Sequence, residues 1–364
     1  MTTPASRSPI PAERHARLLA LLERDGIIRV ADLVADLGVT PVTVRRDIAQ
    51  LEEEGLLRRV HGGAVAAAAP ATVGEPVEEP ARIGVLVPSL AYYWPGVVQT
   101  LESESRTRGM RTFLRASSYE AADERPILDR LISQDRVDGL VIAPRTDGPG
   151  TQALVRWLEE SDIPTVLIER EATTTAGHGI FNSVMSDHAL GTVKAVHHLA
   201  ELGHRKVGIV LSRHSPTSRK MVAGWRTACA ELGLTSDERF ERLVSIRSTA
   251  DFAPLVNDLV GSVLESGTTG LLVLSDPEAF AVVQNLLERG YDVPGDLSVI
   301  AYDDVMADSL SPRLTAVRPP TGHVARVALD RLEQLMADPT TPAQRTLISP
   351  ELKIRESTGP APAH

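Results

Sequence analysis

The stretch Thr40-Pro41-Val42-Thr43-Val44-Arg45-Arg46-Asp47-Ile48-Ala49-Gln50-Leu51 decides the fold of the front of the chain. Thr40 can accept a hydrogen bond from a free backbone N–H group of a first helical turn, and proline suits the position that follows. Val44, Ile48 and Leu51 then recur at helical spacing, which indicates one buried face. The stretch therefore predicts a helix of three to four turns that begins directly after Thr40.

The opposite face of this helix carries side chains suited to DNA. Steps of about 100° per residue turn these side chains away from the apolar face. Guanidinium and amide groups can donate to base edges in the major groove, and methyl groups contact thymine. The candidate DNA contacts on this helix are Thr40, Val42, Thr43, Arg45, Arg46 and Gln50. Asp47 lies toward the flank, where we expect it to orient an arginine or a neighbouring helix.

The residues around this helix predict a winged helix-turn-helix domain over residues 11–65. Apolar periodicity and glycine turns define its other elements. These are the helices Pro11–Asp25 and Ala31–Leu37 and the strands Ile27–Val30, Leu56–Val60 and Ala64–Val65. A domain of about 55 residues is typical of such modules. The wing adds Arg58, Arg59 and His61 as candidate DNA contacts, with phosphate as the expected partner of the arginines.

The run Arg14–Val65 resembles the DNA-binding domain of the DeoR (deoxyribose-repressor) family of bacterial regulators. The matching pieces are Val30–Val39, Thr43–Ile48 and Leu51–Ala64. The resemblance implies that double-stranded operator DNA is the partner of this domain. It also implies that the helix beginning after Thr40 is the one that reads the DNA sequence.

The charge balance limits how this domain can bind DNA. Residues 1–65 carry nine arginines, no lysine and nine acidic residues, so the chain's net charge of −10 lies in the remainder. Affinity for DNA comes from cationic side chains near the phosphates, whereas the acidic remainder of the chain repels the phosphates. We therefore expect a local basic patch on this domain and a homodimer that doubles its contacts.

Length and composition set the class of protein. The chain has 364 residues, enough for two or three domains, and one cysteine, Cys229, which excludes an intrachain disulfide and favours a reducing compartment. The short apolar run Leu18–Leu22 ends at Glu23 and is no secretory signal, and no later stretch has the length of a membrane span. We therefore expect a cytoplasmic protein with no membrane partner.

Residues 66–81 are predicted to be a flexible linker, because three prolines, three glutamates and small residues leave no periodic apolar face. Beyond it, short apolar strands alternate with amphipathic helices, which favours an α/β fold with doubly wound parallel sheets. The predicted strands are Ile83–Val87, Arg111–Leu114, Gly139–Ile142, Thr165–Ile168, Val207–Leu211, Leu271–Leu274 and Leu297–Ala301. The predicted helices include Val97–Arg108, Ile127–Gln134, Gly191–Leu202, Met221–Leu232, Phe252–Glu265 and Ala279–Arg289.

This second part resembles the sugar-sensing domain of regulators of the LacI (lactose-repressor) and ribose-repressor type, which shares the fold of periplasmic sugar-binding proteins. The matching pieces are Ile83–Pro88, Val137–Gly139, Ile163–Ile168, Asp187–Gly191, His198–Arg205, Gly224–Trp225, Val293–Asp304, Pro312–Pro319 and Pro350–Thr358. The resemblance implies a two-lobed domain over residues 82–358, with a small effector, a sugar or sugar derivative, between the lobes. We expect lobe 1 over about 82–183 plus 308–336, and lobe 2 over about 184–305 plus 340–358.

The resemblance also implies which residues contact the effector. Carboxylates and arginine grip pairs of sugar hydroxyls, and aromatic rings pack on the apolar faces of sugars. The candidate ligand contacts are Tyr92, Trp94, Asp187, Arg219, Ser275 and Asp303. For three of these another role stays open, since Trp94 could be a core aromatic, and Asp187 and Asp303 could cap helices or pair with arginines. Asp304 is interpreted as structural.

The chain departs from the family pattern at two places. Met221 stands where the family usually has a ligand-gripping arginine, which a shift of the loop could replace by Arg219, and His188 stands where asparagine is usual. The cations at positions 213, 214, 219 and 220 favour a phosphorylated or acidic sugar as one alternative effector. A preference for anionic over neutral sugars in titration calorimetry would support it.

Other classes of function are disfavoured by the motifs. The histidines at 188, 197, 198 and 204 match no structural zinc spacing, so we expect no metal and interpret them as surface and capping residues. No G-x-S-x-G elbow, P-loop or G-x-G-x-x-G after a strand is present, and we expect neither a cofactor nor catalysis. The alternatives are an enzyme acting on a sugar or nucleotide, or a binding protein, with an accessory front domain. The favoured interpretation is a transcription regulator, with repression relieved by the sugar.

Overall fold

The computed structural model describes residues 11–25, 27–54, 56–60, 63–66, 79–119, 121, 123–146, 148, 150–212, 215–235, 241–244 and 252–363. The chain divides into two units after Glu78, close to the boundary predicted near residue 80. Most of the predicted linker, residues 67–78, lies outside the described residues. Each unit is described separately.

The front unit is a winged helix-turn-helix domain, as its sequence predicts. Its elements are α1 (Pro11–Asp25), β1 (Ile27–Arg29), α2 (Val30–Leu37), α3 (Pro41–Glu53), β2 (Leu57–Val60) and β3 (Gly63–Ala66). The strands form an antiparallel sheet in the order β1-β3-β2. Val44, Ile48 and Leu51 of α3 are buried against apolar side chains of α1, α2 and the sheet. The Oγ1 of Thr40 accepts from the backbone N–H of Thr43 at 3.3 Å, which caps α3 as expected.

The second unit alternates strands and helices throughout. Its first half comprises β4 (Arg82–Val87), α4 (Trp94–Thr107), β5 (Arg111–Ala116), α5 (Arg125–Ser133), β6 (Gly139–Ile142), α6 (Thr151–Glu160), β7 (Thr165–Ile168) and β8 (Asn182–Ser186). Its second half comprises α7 (His188–Glu201), β9 (Val207–Ser212), α8 (Thr217–Leu232), β10 (Glu241–Val244), α9 (Phe252–Glu265), β11 (Gly270–Leu274), α10 (Asp276–Glu288), β12 (Ser298–Tyr302), a short 3-10 helix (Ala307–Ser309), β13 (Thr315–Arg318), α11 (Thr321–Ala337), β14 (Arg345–Ile348) and β15 (Glu351–Lys353).

These elements build two lobes, each with a six-stranded sheet covered by helices on both faces. The first lobe has the all-parallel order β14-β8-β7-β6-β4-β5, with α4 and α11 on one face and α5 and α6 on the other. The second lobe has the order β10-β9-β11-β12-β13-β15, in which only β15 runs antiparallel among the described pairings. Helices α7 and α8 cover one face of it, and α9 and α10 the other. The predicted doubly wound α/β fold is therefore present.

The strand pairing shows that the lobe boundaries differ from the predicted ones. The predicted first-lobe segment 308–336 contains β13, which pairs with β12 and β15 of the second lobe. The predicted second-lobe segments contain most of β8 and all of β14, which pair with each other in the first lobe. The chain thus crosses between lobes three times, after β8, after β13 and after β14. Strands β8, β13 and β14 are short and interrupted by polar residues, so they lack the continuous apolar run that marks the central strands.

Five helices of the second unit begin two to four residues earlier than their apolar periodicity predicts, namely α4, α5, α7, α8 and α10. Helix α4 begins at Trp94 rather than Val97, because Pro95 suits a first turn. Helix α7 begins at His188, because the Asp187 carboxylate caps it by accepting from the backbone N–H of Leu190 at 2.9 Å. Within the described parts of the chain, no helix combines the length and apolar character needed to cross a membrane.

Candidate DNA-binding surface and effector cavity

The outward face of α3 is largely exposed. Val42 is 72% exposed although it is apolar, and Arg45, Arg46 and Gln50 are exposed as well. Thr43 is half-buried beside Thr40, and its hydroxyl lies 3.0 Å from the Thr40 hydroxyl. An exposed face with two guanidinium groups, an amide and a methyl-bearing side chain has the chemistry that base edges require.

The opposite flank of α3 is held by a buried ion pair. Both oxygens of the Asp47 carboxylate accept from the Arg14 guanidinium of α1, at 2.8 and 2.9 Å, and Asp47 is only 4% exposed. Burial raises the pKa of the Asp47 carboxyl, but the hydrogen bonds and charge of Arg14 and His15 outweigh burial and lower that pKa overall. Asp47 therefore orients an arginine of the neighbouring helix, as the sequence predicts.

Asp47→Asn is expected to loosen the packing of α1 on α3. Losing a charge-assisted, bidentate contact costs about 2 kcal/mol, which corresponds to roughly 30-fold faster amide exchange in these helices. Hydrogen exchange on the full chain measures this change in the amide exchange rate. Asp36→Asn is the matched control, because the exposed pair Arg17–Asp36 also joins two helices and should contribute under about 0.5 kcal/mol. Equal effects of both substitutions would contradict the role of Asp47.

The wing is only partly described. Arg59 in β2 is exposed, and its backbone N–H donates to the Glu52 carboxylate of α3 at 2.8 Å, which fixes the strand beside the helix. The backbone of Arg58 lies in the same strand, but its side chain and all of His61 lie outside the described residues. Of the predicted wing contacts, Arg59 is the one whose side chain the structure describes.

A cavity of about 290 Å³ lies between the two lobes, at the carboxyl ends of the parallel strands. This is where sheets of this type bind ligands, and the volume suits a small molecule. On the side of the first lobe it is lined by Tyr92, Tyr93, Trp94, Tyr119, Glu169 and Arg170. On the side of the second lobe it is lined by Ser212, Ser215, Thr217, Ser275, Glu278 and Asp303. Aromatic rings, hydroxyls and carboxyl groups thus face a shared space.

Four predicted ligand residues line this cavity, and two do not. Tyr92, Trp94, Ser275 and Asp303 belong to its wall. Arg219 lines an adjoining cavity of about 180 Å³ instead, and Asp187 is the cap of α7 described above. Of the cations invoked for an anionic sugar, Lys220 also lines the adjoining cavity, whereas residues 213 and 214 lie outside the described part of the chain.

Trp94 is both a core residue and a wall of the cavity. It is 2% exposed, and its ring packs edge-on against Tyr93 at 5.4 Å between centroids. Its indole N–H donates to the Tyr119 hydroxyl at 2.8 Å, and the guanidinium carbon of Arg170 lies 5.7 Å from the ring centroid. These contacts fix the ring, so that any ligand meets a rigid surface.

Asp303 presents a carboxyl group to the cavity. It follows β12 directly and holds a left-handed backbone with φ of 96°. Burial, and then the carboxylates of Asp276, Glu169 and Glu278, raise the pKa of Asp303 well above its ordinary value. Among the described residues the carboxyl has no hydrogen-bond partner, so it can bond to a ligand hydroxyl.

Neighbouring acids have structural roles. The buried Asp276 carboxylate accepts from three consecutive backbone N–H groups, those of residues 304, 305 and 306, at 2.7–3.1 Å. The Asp304 carboxylate pairs with Arg318 at 2.6 Å and Arg355 at 2.7 Å, which agrees with its structural interpretation. The backbone N–H of Asp276 donates to the Tyr92 hydroxyl at 3.1 Å, and so a first-lobe loop is tied to the second lobe.

A buried hydrogen-bonded cluster behind the cavity was not predicted. The Glu169 carboxylate accepts from the Tyr93 hydroxyl and the Ser186 hydroxyl, both at 2.8 Å, from the Ser186 N–H at 3.1 Å and from His188 Nε2 at 3.1 Å. The other ring nitrogen of His188 lies 2.9 Å from the Tyr302 hydroxyl. The cluster joins the end of β7, the first interlobe crossing and the end of β12.

The pKa of Glu169 shows how strong this cluster is. Burial raises the pKa, but the hydrogen bond and charge of His188, with the donors of Ser186 and Tyr93, outweigh burial and lower it to about 2.

His188 is 4% exposed and His204 is fully buried, so the interpretation of the histidines as surface and capping residues is wrong for these two. Glu169 and Arg170 directly follow the predicted strand Thr165–Ile168, and that position was a signal that could have identified them.

Two family models match the chain. A DeoR-like helix-turn-helix domain matches residues 14–69, and a periplasmic binding protein-like domain matches residues 196–358. No group of three or more His, Cys, Asp or Glu residues within the described ranges is arranged to hold a metal ion.

The relatives of the chain are transcription regulators. An HTH-type transcriptional regulator in the aml 5′ region of Streptomyces limosus is 31% identical over 282 residues, covering 76% of this chain and 78% of the relative. The HTH-type transcriptional repressor PurR of Photobacterium profundum is 26% identical over 286 residues, covering 76% and 80%. The fold is similar to that of a LacI family regulator from Enterococcus faecium with bound ribose, with a TM-score of 0.62 at 22% identity, covering 77% and 99%. The prediction of a regulator rather than an enzyme is confirmed. The chain belongs to the HTH-type transcriptional regulators, and its two matched domains are a DeoR-like helix-turn-helix domain and a periplasmic binding protein-like domain.

Proposed function

We propose that this regulator is a cytoplasmic repressor of carbohydrate-related genes, and that a sugar or sugar derivative in the interlobe cavity relieves repression. The observation that carries the proposal is Asp303, whose carboxyl faces the cavity without a hydrogen-bond partner among the described residues. A partly buried polar group on a cavity wall is available to form hydrogen bonds with a ligand. The rigid ring of Trp94 and the serine and threonine hydroxyls of the wall suit the apolar faces and hydroxyls of a sugar.

The similar fold from Enterococcus faecium holds ribose, which supports the choice of sugars as the first compounds to test. The motif match and the three-stranded wing support a DeoR-type front domain. In this proposal α3 lies in the major groove, with Arg45, Arg46 and Gln50 near base edges, and Arg59 of the wing near phosphate. Two copies of the chain read the two halves of the operator, because one electrically neutral front domain offers few phosphate contacts.

Ligand control follows from the two lobes. A sugar that contacts both lobes binds their closed arrangement better than their open one, and so it shifts the population toward closure. In a dimer, closure changes the separation of the two front domains and therefore the affinity for a two-part operator. Tyr92 and the Glu169–His188–Tyr302 cluster already tie the lobes together at the back of the cavity, where the crossings lie.

Asp303→Ala is expected to weaken sugar binding by about 10- to 100-fold, since it removes the polar group that faces ligand hydroxyls. Titration calorimetry with neutral pentoses, hexoses, uronates and sugar phosphates identifies the effector and measures the loss. Asp308→Ala serves as control, because Asp308 is exposed and lies outside the cavity. If no sugar in this panel binds the wild-type protein, the sugar proposal is wrong.

A further inference from the structure

Arg170 is a buried cation at the junction of two cavities. It is the second residue after β7, is 4% exposed, and lines both the interlobe cavity and the adjoining cavity of about 180 Å³. The adjoining cavity also carries Arg219 and Lys220 on its wall. A guanidinium group in such a position is accessible to a ligand, although it is shielded from bulk water.

The protein leaves this guanidinium incompletely paired. One terminal nitrogen of Arg170 donates to the backbone carbonyl of Glu169 at 2.8 Å, and the group lies over the Trp94 ring at 5.7 Å. Among the described residues the buried Nε atom has no hydrogen-bond partner, and none of their carboxylates forms an ion pair with Arg170. A buried charge normally has a charged partner, since its desolvation is otherwise uncompensated.

The two nearest carboxylates along the chain are already engaged. The Glu169 carboxylate accepts the four hydrogen bonds of the buried cluster from Tyr93, Ser186 and His188. The Glu171 carboxylate pairs with Lys220 and with Arg345, each at 3.2 Å. Neither of these two carboxylates pairs with Arg170, and the cavities in front of the guanidinium have room for the counter-charge of a ligand.

We propose that Arg170 binds an anionic group of the effector, a carboxylate or a phosphate, while the remainder of the effector lies against Asp303 and Trp94. The inference rests on the proposed function, because it names the class of sugar that the same cavity takes. An arginine can hold either anion through two parallel N–H bonds, and such charge-assisted bonds are stronger in a site shielded from water. Lys220 and Arg219 also line the adjoining cavity, but Lys220 is paired with Glu171, so the assignment rests on Arg170.

Paired titrations test the assignment. The probes are ribose against ribose 5-phosphate, glucose against glucose 6-phosphate, and glucose and galactose against glucuronate and galacturonate. The wild-type protein is expected to bind one anionic member at least 10-fold more tightly than its neutral partner. Arg170→Gln should weaken binding of that anionic sugar about 10- to 100-fold and should weaken binding of the neutral sugar clearly less. The uronate and phosphate arms show which anion the site takes.

Two further variants make the result unambiguous. Arg170→Lys keeps the charge but not the paired donors, so it should retain part of the preference. Arg219→Gln is the matched control in the adjoining cavity and should have the smaller effect. A variant is used only if its thermal unfolding midpoint lies within about 5 °C of that of the wild-type protein. If Arg170→Gln does not meet this condition, the anion preference of Arg170→Lys is used to judge the assignment.

Several outcomes would overturn the inference. Neutral sugars that bind as tightly as their anionic partners would remove it and leave the proposed function standing. A larger loss from Arg219→Gln than from Arg170→Gln would move the anion to another residue and contradict the assignment. If no sugar of either class binds, the proposed function fails, and the inference fails with it.

Discussion

Replacing Arg46 with alanine is expected to weaken binding to the operator by about 1–3 kcal/mol for each half-site, the range for a lost bidentate base contact. Arg46 is exposed on the outward face of α3, and the buried Asp47–Arg14 pair fixes the rotation of that helix. The loss should appear on the specific operator and be much smaller on random DNA. Fluorescence anisotropy at fixed salt, with both DNAs, measures the difference.

Arg59→Ala is the matched control for this prediction. Its side chain is exposed on β2, where a phosphate contact is expected, so the loss should be similar on both DNAs and should reduce the dependence of affinity on salt. If Arg46→Ala weakened operator and random DNA equally, α3 would bind the backbone rather than read bases. That result would contradict the role assigned to the helix.

Glu169→Gln is expected to lower the free energy of unfolding by about 3 kcal/mol near neutral pH. The substitution removes a charge that four hydrogen bonds stabilise, and it forces an NH2 group into a site whose neighbours are donors. The difference between the ordinary pKa of 4.5 and the pKa of about 2 in the folded protein corresponds to about 3 kcal/mol. Urea unfolding of the full chain measures the loss.

The Glu169 carboxyl also makes the free energy of unfolding depend on pH. Between pH 4.5 and about 2 the unfolded chain protonates Glu169 while the folded chain does not. The contribution is therefore present in full above pH 4.5 and is lost as the pH falls through this range. Glu169→Gln should flatten this part of the profile, whereas Glu171→Gln, a half-exposed residue, should leave it unchanged. Identical acid profiles for the wild-type protein and Glu169→Gln would contradict the cluster's role.

The front domain could be predicted almost element by element. Its signals are local: Thr40 and the following proline set the start of α3, and the spacing of Val44, Ile48 and Leu51 sets its buried face. The position of Asp47 on that helix was enough to predict its role. The central strands of the second unit were equally accessible, since Gly139–Ile142 and Thr165–Ile168 are continuous apolar runs.

The cavity was predicted only in part, because its chemistry depends on contacts between segments distant in sequence. Tyr92, Trp94, Ser275 and Asp303 follow strands that the pattern located, and they reach the cavity. The roles of Glu169 and His188 depend on Tyr302, which is more than a hundred residues away. Strands β8, β13 and β14 are short and interrupted by polar residues, so the lobe boundaries became visible only in the strand pairing.

The measurement that tests the central claim most directly is a footprint of the purified protein on its own upstream DNA, with and without the sugar panel. We predict one protected two-part site at moderate salt and its release by one sugar, with no loss of release in a control variant outside the cavity. Absence of any protected site, or turnover of a sugar by the protein, would contradict the account.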